Sequence, residues 1–178
     1  MPKNIEIKAK IPSKQKVENY HNLLTQSCGQ AEIIHQHDTF FNTEKGRLKL
    51  REFFGDEQKK KEPELIFYER NDQNGPKLSD FTQVKLGNKS EGIKEALFCA
   101  YGVKGCVRKK RTLYIYQTQT RVHIDEVENL GDFIEIEVCL RENQTEKEGK
   151  EILINLSKYL DISNNDLIEV AYLDLLSK

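Results

Sequence analysis

Several features that mark particular classes of protein are missing from this sequence of 178 residues. It has only four cysteines, Cys28, Cys99, Cys106 and Cys139, and none of them forms a C-x-x-C pair or a Cys/His cluster with zinc spacing. We therefore expect small buried thiols in a reducing compartment, and neither a disulfide framework nor a zinc site.

Long apolar runs and an excess of one charge are also missing. No run of about 18 apolar residues is long enough to cross a membrane, and no signal-peptide segment precedes the first strand pattern. The 28 basic and 29 acidic residues give a formal net charge of −1, so we expect neither nucleic acid nor a membrane surface as a partner. A cytosolic location is the expectation, and any charge-based function must come from local sorting of the charges.

What the sequence has is a regular succession of strand and helix signals along one domain, residues 1–178. Helix caps are expected at Ser13, at Ser90 and at the Thr145/Glu148 pair, and a last short helix is expected near 171–176. Period-two alternation predicts eight strands, over residues 4–11, 39–42, 46–54, 64–70, 81–87, 106–117, 121–127 and 132–141.

At least five of these strands carry one strongly charged face and one apolar face. The first strand places Glu6, Lys8 and Lys10 between apolar residues. The same parity recurs further along the chain for Lys49/Arg51, Lys109/Arg111, Arg121/His123/Asp125 and Glu135/Glu137. Pattern alone leaves two architectures open: an open antiparallel sheet with its charged face in water, and a closed barrel with a polar interior.

The charges are sorted by sign, which favours a lined interior. Cations facing one another about 10 Å apart repel by about 1–2 kcal/mol per pair at an effective dielectric near 20, and a bound polyanion would relieve this repulsion. Arginine binds phosphate oxygens through a planar, bidentate fork. Carboxylates in the same cavity would need a divalent cation to bridge them to phosphate. Basic pairs and carboxylates on one lining therefore indicate a metal–polyphosphate site.

Several motifs, in order along nearly the whole chain, resemble those of the CYTH superfamily, the triphosphate tunnel metalloenzymes that include class IV adenylyl cyclases and thiamine triphosphatases. The family's opening E-x-E-x-K is similar to the segment NIEIK, in which Asn4 stands where the first Glu is expected. The other matching segments are LKLR (48–51), YER (68–70), VRKKRTLY (107–114), HIDEVENLGDFIEIEV (123–138) and LIEVAYLDLL (167–176).

The resemblance implies an α+β fold, a closed eight-stranded antiparallel β-barrel with helices packed outside. It implies that the triphosphate is bound by Lys8, Lys10, Lys49, Arg51, Arg70, Lys109, Arg111 and Arg121. It implies Mg²⁺ or Mn²⁺ as cofactor, with Glu6, Glu135, Glu137 and Asp125 as the candidate ligands. The catalytic candidates are Lys8, Asp125 and Arg51. Dimers are common in this family, so a homodimer is an open alternative.

Three functions share such an apparatus. The resemblance favours a metal-dependent triphosphatase acting on inorganic triphosphate or on an organic triphosphate such as thiamine triphosphate. The second function is that of a class IV-type adenylyl cyclase, in which the ribose 3′-hydroxyl of ATP attacks the α-phosphorus and pyrophosphate leaves. The hydrolase and the cyclase differ in which attacking group is placed in line with the phosphorus atom. The third is a non-catalytic polyphosphate-binding module, which Asn4 favours because a metal ligand would be missing.

Overall fold

Eight antiparallel strands form one sheet that closes on itself. The computed structural model describes residues 3–55, 61–70 and 76–177, without the side chains of Arg70 and Ser79. The strands are β1 (Lys3–Lys10), β2 (Glu32–Phe41), β3 (Arg47–Phe54), β4 (Glu64–Arg70), β5 (Lys77–Lys85), β6 (Val103–Tyr116), β7 (Thr120–Val127) and β8 (Gly131–Cys139). Around the barrel their order is β1, β5, β4, β3, β2, β6, β7, β8, and β8 pairs with β1. The predicted closed barrel is therefore confirmed, and the open sheet is excluded.

Two strands begin at least four residues earlier than the sequence pattern indicated. β2 begins at Glu32 instead of residue 39, and β5 begins at Lys77 instead of residue 81. In β2 the inward positions include Gln36 and Asp38, and the outward positions include the exposed His35. Apolar alternation therefore disappears over this part of β2, because polar residues occupy both faces of the strand: Gln36 and Asp38 face the polar interior, and His35 and His37 lie on the outer face.

Four helices accompany the barrel: α1 (Lys14–Cys28), α2 (Ser90–Tyr101), α3 (Glu146–Tyr159) and α4 (Tyr172–Leu176). The predicted caps of α1 and α3 are confirmed, since Ser13 accepts from the Lys16 N–H and Thr145 and Glu148 form a capping box. The cap predicted at Ser90 is wrong. A short 3₁₀ turn over Gly87–Lys89 leads directly into α2, and Ser90 is already helical.

The largest apolar core lies outside the barrel, between the sheet and the helices α1 and α3. Outward-facing residues of β1 and β8, such as Ile5 and Ile136, are fully buried against Leu24 of α1 and Leu153 of α3. Burying a side chain of this size contributes about 1.5–3 kcal/mol. The sheet therefore keeps its apolar face under the helices and its charged face for the interior.

One end of the barrel interior is filled by α4. Tyr172 and Leu173 of this helix pack with the inward-facing Phe40, Val107 and Phe133. The ring centroids of Tyr172 and Phe133 are 4.9 Å apart in an edge-to-face arrangement, which is favourable for aromatic pairs. The polar part of the interior thus ends at an apolar plug.

The expectation that the cysteines are buried is wrong for two of the four. Cys99 and Cys106 are exposed, Cys28 and Cys139 are partly buried, and all four are free thiols. Cys106 lies on the outward-facing side of β6, because its neighbour Val107 faces the interior. Within the described residues, no helix combines the length and apolar character that crossing a membrane requires.

Candidate functional site

The barrel encloses a cavity of about 320 Å³, a volume within the range of small-molecule binding sites. Six of the predicted basic residues line it: Lys8, Lys49, Arg51, Lys109, Arg111 and Arg121. Three of the predicted metal ligands, Glu6, Glu135 and Glu137, line the same cavity. The strand parity that sorted these residues by charge in the sequence thus brings nine of them to one lining.

An acidic wall is formed by β1 and β8, which are adjacent. Glu6 lies directly opposite Glu137 in this pair of strands, and Lys8 lies opposite Glu135. Glu135 accepts from Arg111 Nη2 at 2.8 Å and lies 3.5 Å from Lys8 Nζ. Each carboxylate of β8 has cationic neighbours, because Arg121 Nη1 lies 3.3 Å from a Glu137 oxygen.

The pairing of β6 with β7 places Arg111 directly opposite Asp125. Arg111 donates from Nε and Nη2 to the two Asp125 oxygens at 2.7 and 2.6 Å, and Lys109 Nζ lies 3.4 Å from Asp125. Asp125 is fully buried, and Arg111 and Lys109 hold the pKa of this carboxyl well below its usual range despite burial, which acts in the opposite direction. Asp125 therefore lies behind the lining as an anion that orients two cations.

A second carboxylate, Asp38, organises the cations of β3. Arg51 donates from Nε and Nη2 to its two oxygens at 2.7 and 2.8 Å, and Lys49 donates to it at 2.8 Å. Burial opposes ionisation of Asp38, but Arg51 and Lys49 hold its pKa well below the usual range. This residue is 2% exposed and was not among the predicted site residues.

The helix α4 contributes a tyrosine to the end of the cavity. Tyr172 donates its hydroxyl to Asp125 Oδ2 at 3.0 Å, and burial raises the pKa of this hydroxyl well above its usual value. The ammonium of Lys8 lies 4.0 Å from the ring centroid and that of Lys109 lies 5.1 Å from it, both within cation–π range. The Tyr172 ring thus helps to position the ammonium groups of Lys8 and Lys109, which face the cavity.

Two buried lysines titrate close to neutral pH. Burial lowers the pKa of Lys109 to about 7, with Arg111 acting in the same direction and Asp125 opposing it. Burial also lowers the pKa of Lys49 to about 8, with Arg51 lowering it further and Asp38 opposing it. The positive charge of the cavity therefore decreases as the pH rises above about 7.

His123 also lines the cavity. Its Nδ1 lies 3.3 Å from Glu135 Oε2, and burial together with Arg111 lowers the pKa of the ring. The ring is consequently neutral at pH 7, and its contact with Glu135 is a hydrogen bond between the paired strands β7 and β8.

The acidic wall has the donor chemistry of a magnesium or manganese site, because carboxylate and amide oxygens are the ligands that these cations prefer. Asn4 donates from Nδ2 to Glu137, and its own Oδ1 is buried without a hydrogen-bond partner, although buried acceptors are normally paired. In the described part of the chain, however, no three His, Cys, Asp or Glu side chains already converge tightly enough to hold a metal ion. The cations bonded to Glu135 and Glu137 compete for the same oxygens that a metal would take.

Three predicted residues are placed differently from the rest. Lys10 follows the parity of Lys8, but it lies at the end of β1, is exposed and is not part of the described lining. The backbone of Arg70 pairs with Ser79 in the β4–β5 ladder, and its side chain lies outside the described residues. Asp125, a candidate metal ligand and base, has both oxygens bonded to Arg111 and is behind the lining.

Sequence reasoning missed Asp38, Lys61 and Glu64, all of which line the cavity. A signal for Asp38 was present. Had the strand been extended back from residue 39, Asp38 would have fallen opposite Arg51 on the same face, as the β2–β3 ladder shows. Lys61 follows the stretch 56–60, which is outside the described residues, and no alternating pattern identified it.

The family model described as CYTH domain matches residues 2–172. Comparison with curated protein sequences returned no match.

Solved structures share the fold at low sequence identity. A conserved hypothetical protein from Pyrococcus furiosus is 24% identical with a TM-score of 0.78, covering 97% of this chain and 99% of its own. The putative adenylyl cyclase HpAC1 from Hippeastrum, described as having a dominant triphosphatase activity, is 16% identical with a TM-score of 0.70, covering 98% and 95%. The Mimivirus capping enzyme triphosphatase is 10% identical with a TM-score of 0.59, covering 89% of each chain. At these identities the likeness shows the fold alone.

Proposed function

Because the chain belongs to the CYTH family, we propose that it is a divalent-metal-dependent triphosphatase that hydrolyses inorganic triphosphate or an organic triphosphate such as thiamine triphosphate. The observation that carries this proposal is the enclosed cavity into which Lys49, Arg51, Lys109 and Arg111 all project. The triphosphatase activity attributed to HpAC1 and to the Mimivirus protein, which share the fold, supports it.

The charge of the lining supports a requirement for a cation beside the substrate. Within the described residues, seven lysines and arginines line the cavity against five carboxylates, and the buried Asp125 adds a sixth carboxylate. The excess of about one positive charge is small compared with the several negative charges of a triphosphate. A divalent metal held by Glu6, Glu135 and Glu137 would supply the missing charge and polarise the phosphate oxygens.

The protein side chains would do the remaining work by positioning and by electrostatic stabilisation. Lys8 and Arg51 would bind the phosphoryl oxygens where negative charge accumulates, together with Lys49, Lys109, Arg111 and Arg121. Asp125 would hold Arg111 and Lys109 in place through the contacts described above. Lys10 and Arg70 stay candidates for binding the triphosphate.

An adenylyl cyclase of the class IV type is the second candidate. It is favoured by the description of HpAC1, which shares the fold, as a putative adenylyl cyclase. A non-catalytic polyphosphate-binding module is the third, favoured by the neutral Asn4 and by the separation of the carboxylates. A cytosolic location and a homodimer stay predictions from the sequence.

One product assay separates the three functions. The purified protein is incubated with inorganic triphosphate, thiamine triphosphate or ATP, with Mg²⁺ or with Mn²⁺, and phosphate, pyrophosphate and cyclic AMP are measured. Phosphate release without cyclic AMP supports the triphosphatase, whereas cyclic AMP with pyrophosphate supports the cyclase. Binding of triphosphate with no product under any condition leaves the binding module.

The variant Glu137→Gln tests the acidic wall. Replacing this carboxylate by an amide removes a negative ligand while keeping the size of the side chain, so we expect metal-dependent turnover to fall at least 100-fold with an unchanged circular dichroism spectrum. Glu126→Gln, an exposed residue on the outer face of β7, is the matched control and should keep full activity. Full activity of Glu137→Gln would remove this residue from the site.

A further inference from the structure

We propose that Asp38 is a positioning residue and that the cavity binds its anion with two equivalent half-sites, one built by Asp38 with Lys49 and Arg51 and the other by Asp125 with Lys109 and Arg111. This inference rests on the proposed function, because it assigns the arrangement of the same phosphate-binding cavity. It adds a residue that no sequence motif indicated and a reason why the ligand carries more than one phosphoryl group.

The contacts of the two half-sites agree atom by atom. In each, an arginine donates from Nε to Oδ1 and from Nη2 to Oδ2 of an aspartate, at 2.7 and 2.8 Å for Asp38 and at 2.7 and 2.6 Å for Asp125. In each, a lysine two residues before the arginine approaches the same Oδ2, at 2.8 Å for Lys49 and 3.4 Å for Lys109. Both aspartates are at most 2% exposed.

The fold builds this unit twice, in opposite chain order. In the β2–β3 pair the aspartate comes first and lies opposite Arg51, whereas in the β6–β7 pair Arg111 comes first and lies opposite Asp125. β2 and β6 are neighbours in the barrel, so the residues that the four strands contribute to the half-sites alternate in charge: basic from β3, acidic from β2, basic from β6 and acidic from β7. A repeat in the sequence is absent, and only the strand order makes the two units similar.

The half-sites differ in their surroundings. The Asp125 half-site has two additional partners, since Arg111 also donates to Glu135 and Asp125 also accepts from Tyr172. In the Asp38 half-site, Lys49 lies 5.4 Å from the Phe40 ring centroid and 5.6 Å from that of Tyr68. The charged groups that act on Lys49 are Asp38, Arg51 and Arg111.

This chemistry suits a ligand made of repeated phosphoryl groups. A guanidinium has five N–H donors in one plane, and the fork to an aspartate uses two of them, which fixes the direction of the others. Each half-site combines two cations with one carboxylate and keeps about one positive charge. Two such units on neighbouring parts of one lining match adjacent phosphoryl groups better than a single phosphate. Inorganic triphosphate and pyrophosphate should therefore bind more tightly than orthophosphate.

The variant Asp38→Asn tests the positioning role by calorimetric titration of inorganic triphosphate, without turnover, between pH 6 and pH 9. Asp38 opposes the loss of the Lys49 proton, so its removal should move the pH at which affinity declines to a lower value, with affinity at pH 8 at least 10-fold weaker than in the unmodified protein. Glu52→Gln is the matched control, because Glu52 lies on β3 next to Arg51 and forms its ion pair with Lys94 at 2.6 Å. This control should bind as the unmodified protein does.

A matched pair of lysine variants covers the case in which Asp38→Asn does not fold. Lys49→Gln and Lys109→Gln each keep the aspartate–arginine fork and remove one cation from one half-site. Equivalent half-sites predict losses of triphosphate affinity that agree within about threefold at pH 6, where both lysines are charged. A loss of more than 10-fold for Lys109→Gln with less than twofold for Lys49→Gln would overturn the equivalence.

These outcomes also separate this inference from the proposed function. If the unmodified protein binds triphosphate and Asp38→Asn binds with the same affinity and the same pH dependence, the role of Asp38 is refuted while the triphosphate site stands. If the unmodified protein does not bind triphosphate, both are refuted. If orthophosphate binds as tightly as triphosphate, the two half-sites do not act on one ligand.

Discussion

At the scale of single residues, the site depends on buried charged groups whose pKa values or ion-pair partners can change when a ligand binds. Burial removes solvent from the ammonium groups of Lys109 and Lys49 and lowers their pKa values to about 7 and about 8. The neighbouring carboxylates stay ionised because two cations face each of them. Such groups change their charge when a ligand adds or removes a neighbour. The residues proposed to bind the substrate are therefore also the residues whose protonation is expected to change when the substrate binds.

Lys109→Arg tests the charge of the buried lysine. Lys109 is charged below its pKa of about 7 and neutral above it, so triphosphate affinity of the metal-free protein should fall as the pH rises from 6 to 9. Arginine stays charged over this range, so affinity should depend less on pH in the variant. Calorimetric titration across the range measures both. An equally steep decline in the two proteins would show that another group causes it.

Asn4→Glu tests the departure of this chain from the family's opening motif. A carboxylate at this position would face Glu137, which Asn4 now contacts through its amide. We expect at least 10-fold tighter Mn²⁺ binding in a calorimetric titration and a lower melting temperature without metal, because like charges repel. Gln83→Glu, elsewhere in the cavity lining, should leave Mn²⁺ affinity much less changed. Unchanged Mn²⁺ affinity in Asn4→Glu would place Asn4 outside the metal site.

At the scale of elements, the short helix α4 decides where the polar cavity ends. Leu173 packs on Gly105 of β6, and a Cβ added at Gly105 would lie 2.6 Å from Leu173 Cδ1, which is closer than packed atoms approach. Arg47 of β3 donates to Asp174 at 2.8 Å and ties the helix to the rim of the barrel. This glycine and this ion pair therefore add to the contacts of Tyr172 with Asp125 and Phe133 in holding the plug in place.

Gly105→Ala should lower the free energy of unfolding by about 1–3 kcal/mol, because the added methyl group forces α4 away from the barrel. Leu173→Ala in the same background should relieve part of this cost, and a double-mutant cycle by chemical denaturation measures the coupling. The control is Gly92→Ala in α2, where nothing lies within 4 Å of the added Cβ, and it should stabilise by about 0.5–1 kcal/mol. Additive effects of the first two substitutions would contradict this packing.

At the scale of the whole molecule, the barrel has two cores of opposite character. The apolar side of the sheet is covered by α1 and α3, and the charged side encloses the cavity, so the largest apolar core lies outside the barrel and the proposed binding site lies inside it. Like-charge pairs such as Lys49 with Arg51 and Lys109 with Arg111 lie within this interior. A bound polyanion with its metal would neutralise them and stabilise the fold.

Thermal unfolding should therefore respond to metal and triphosphate together more than to either alone. Ligand at about 100 times its dissociation constant stabilises by about 2.7 kcal/mol, which corresponds to roughly 5–10 °C for a chain of this size. We expect the melting temperature to rise by this amount with inorganic triphosphate plus Mg²⁺. The rise with triphosphate alone and the rise with Mg²⁺ alone should add up to less than this. Strictly additive shifts would argue against a shared site for metal and phosphate.

The face of the sheet on which most of the charged residues lie could be predicted from the sequence, because a β-strand alternates its side chains between two faces. Lys8, Lys49, Arg51, Lys109 and Arg111 could be assigned to one lining for this reason. The first half of β2 was not assigned, because polar residues occupy both of its faces, with Gln36 and Asp38 inside and His35 and His37 outside, so that no apolar alternation marks the strand. The exposure of Cys99 and Cys106 could not be predicted from the sequence either, since a small residue can lie on either side of a helix or strand.

The alternation, the helix caps of α1 and α3 and the assignment of basic and acidic residues to particular strands all follow from the amino-acid sequence alone. These properties depend on residues that are near neighbours along the chain. The folded chain was needed to show that the sheet closes, that Asp38 lies against Arg51 as Asp125 lies against Arg111, and that Tyr172 reaches the inner end of the cavity. Those contacts join residues distant in sequence, and their formation depends on strand pairing and burial that local patterns do not specify.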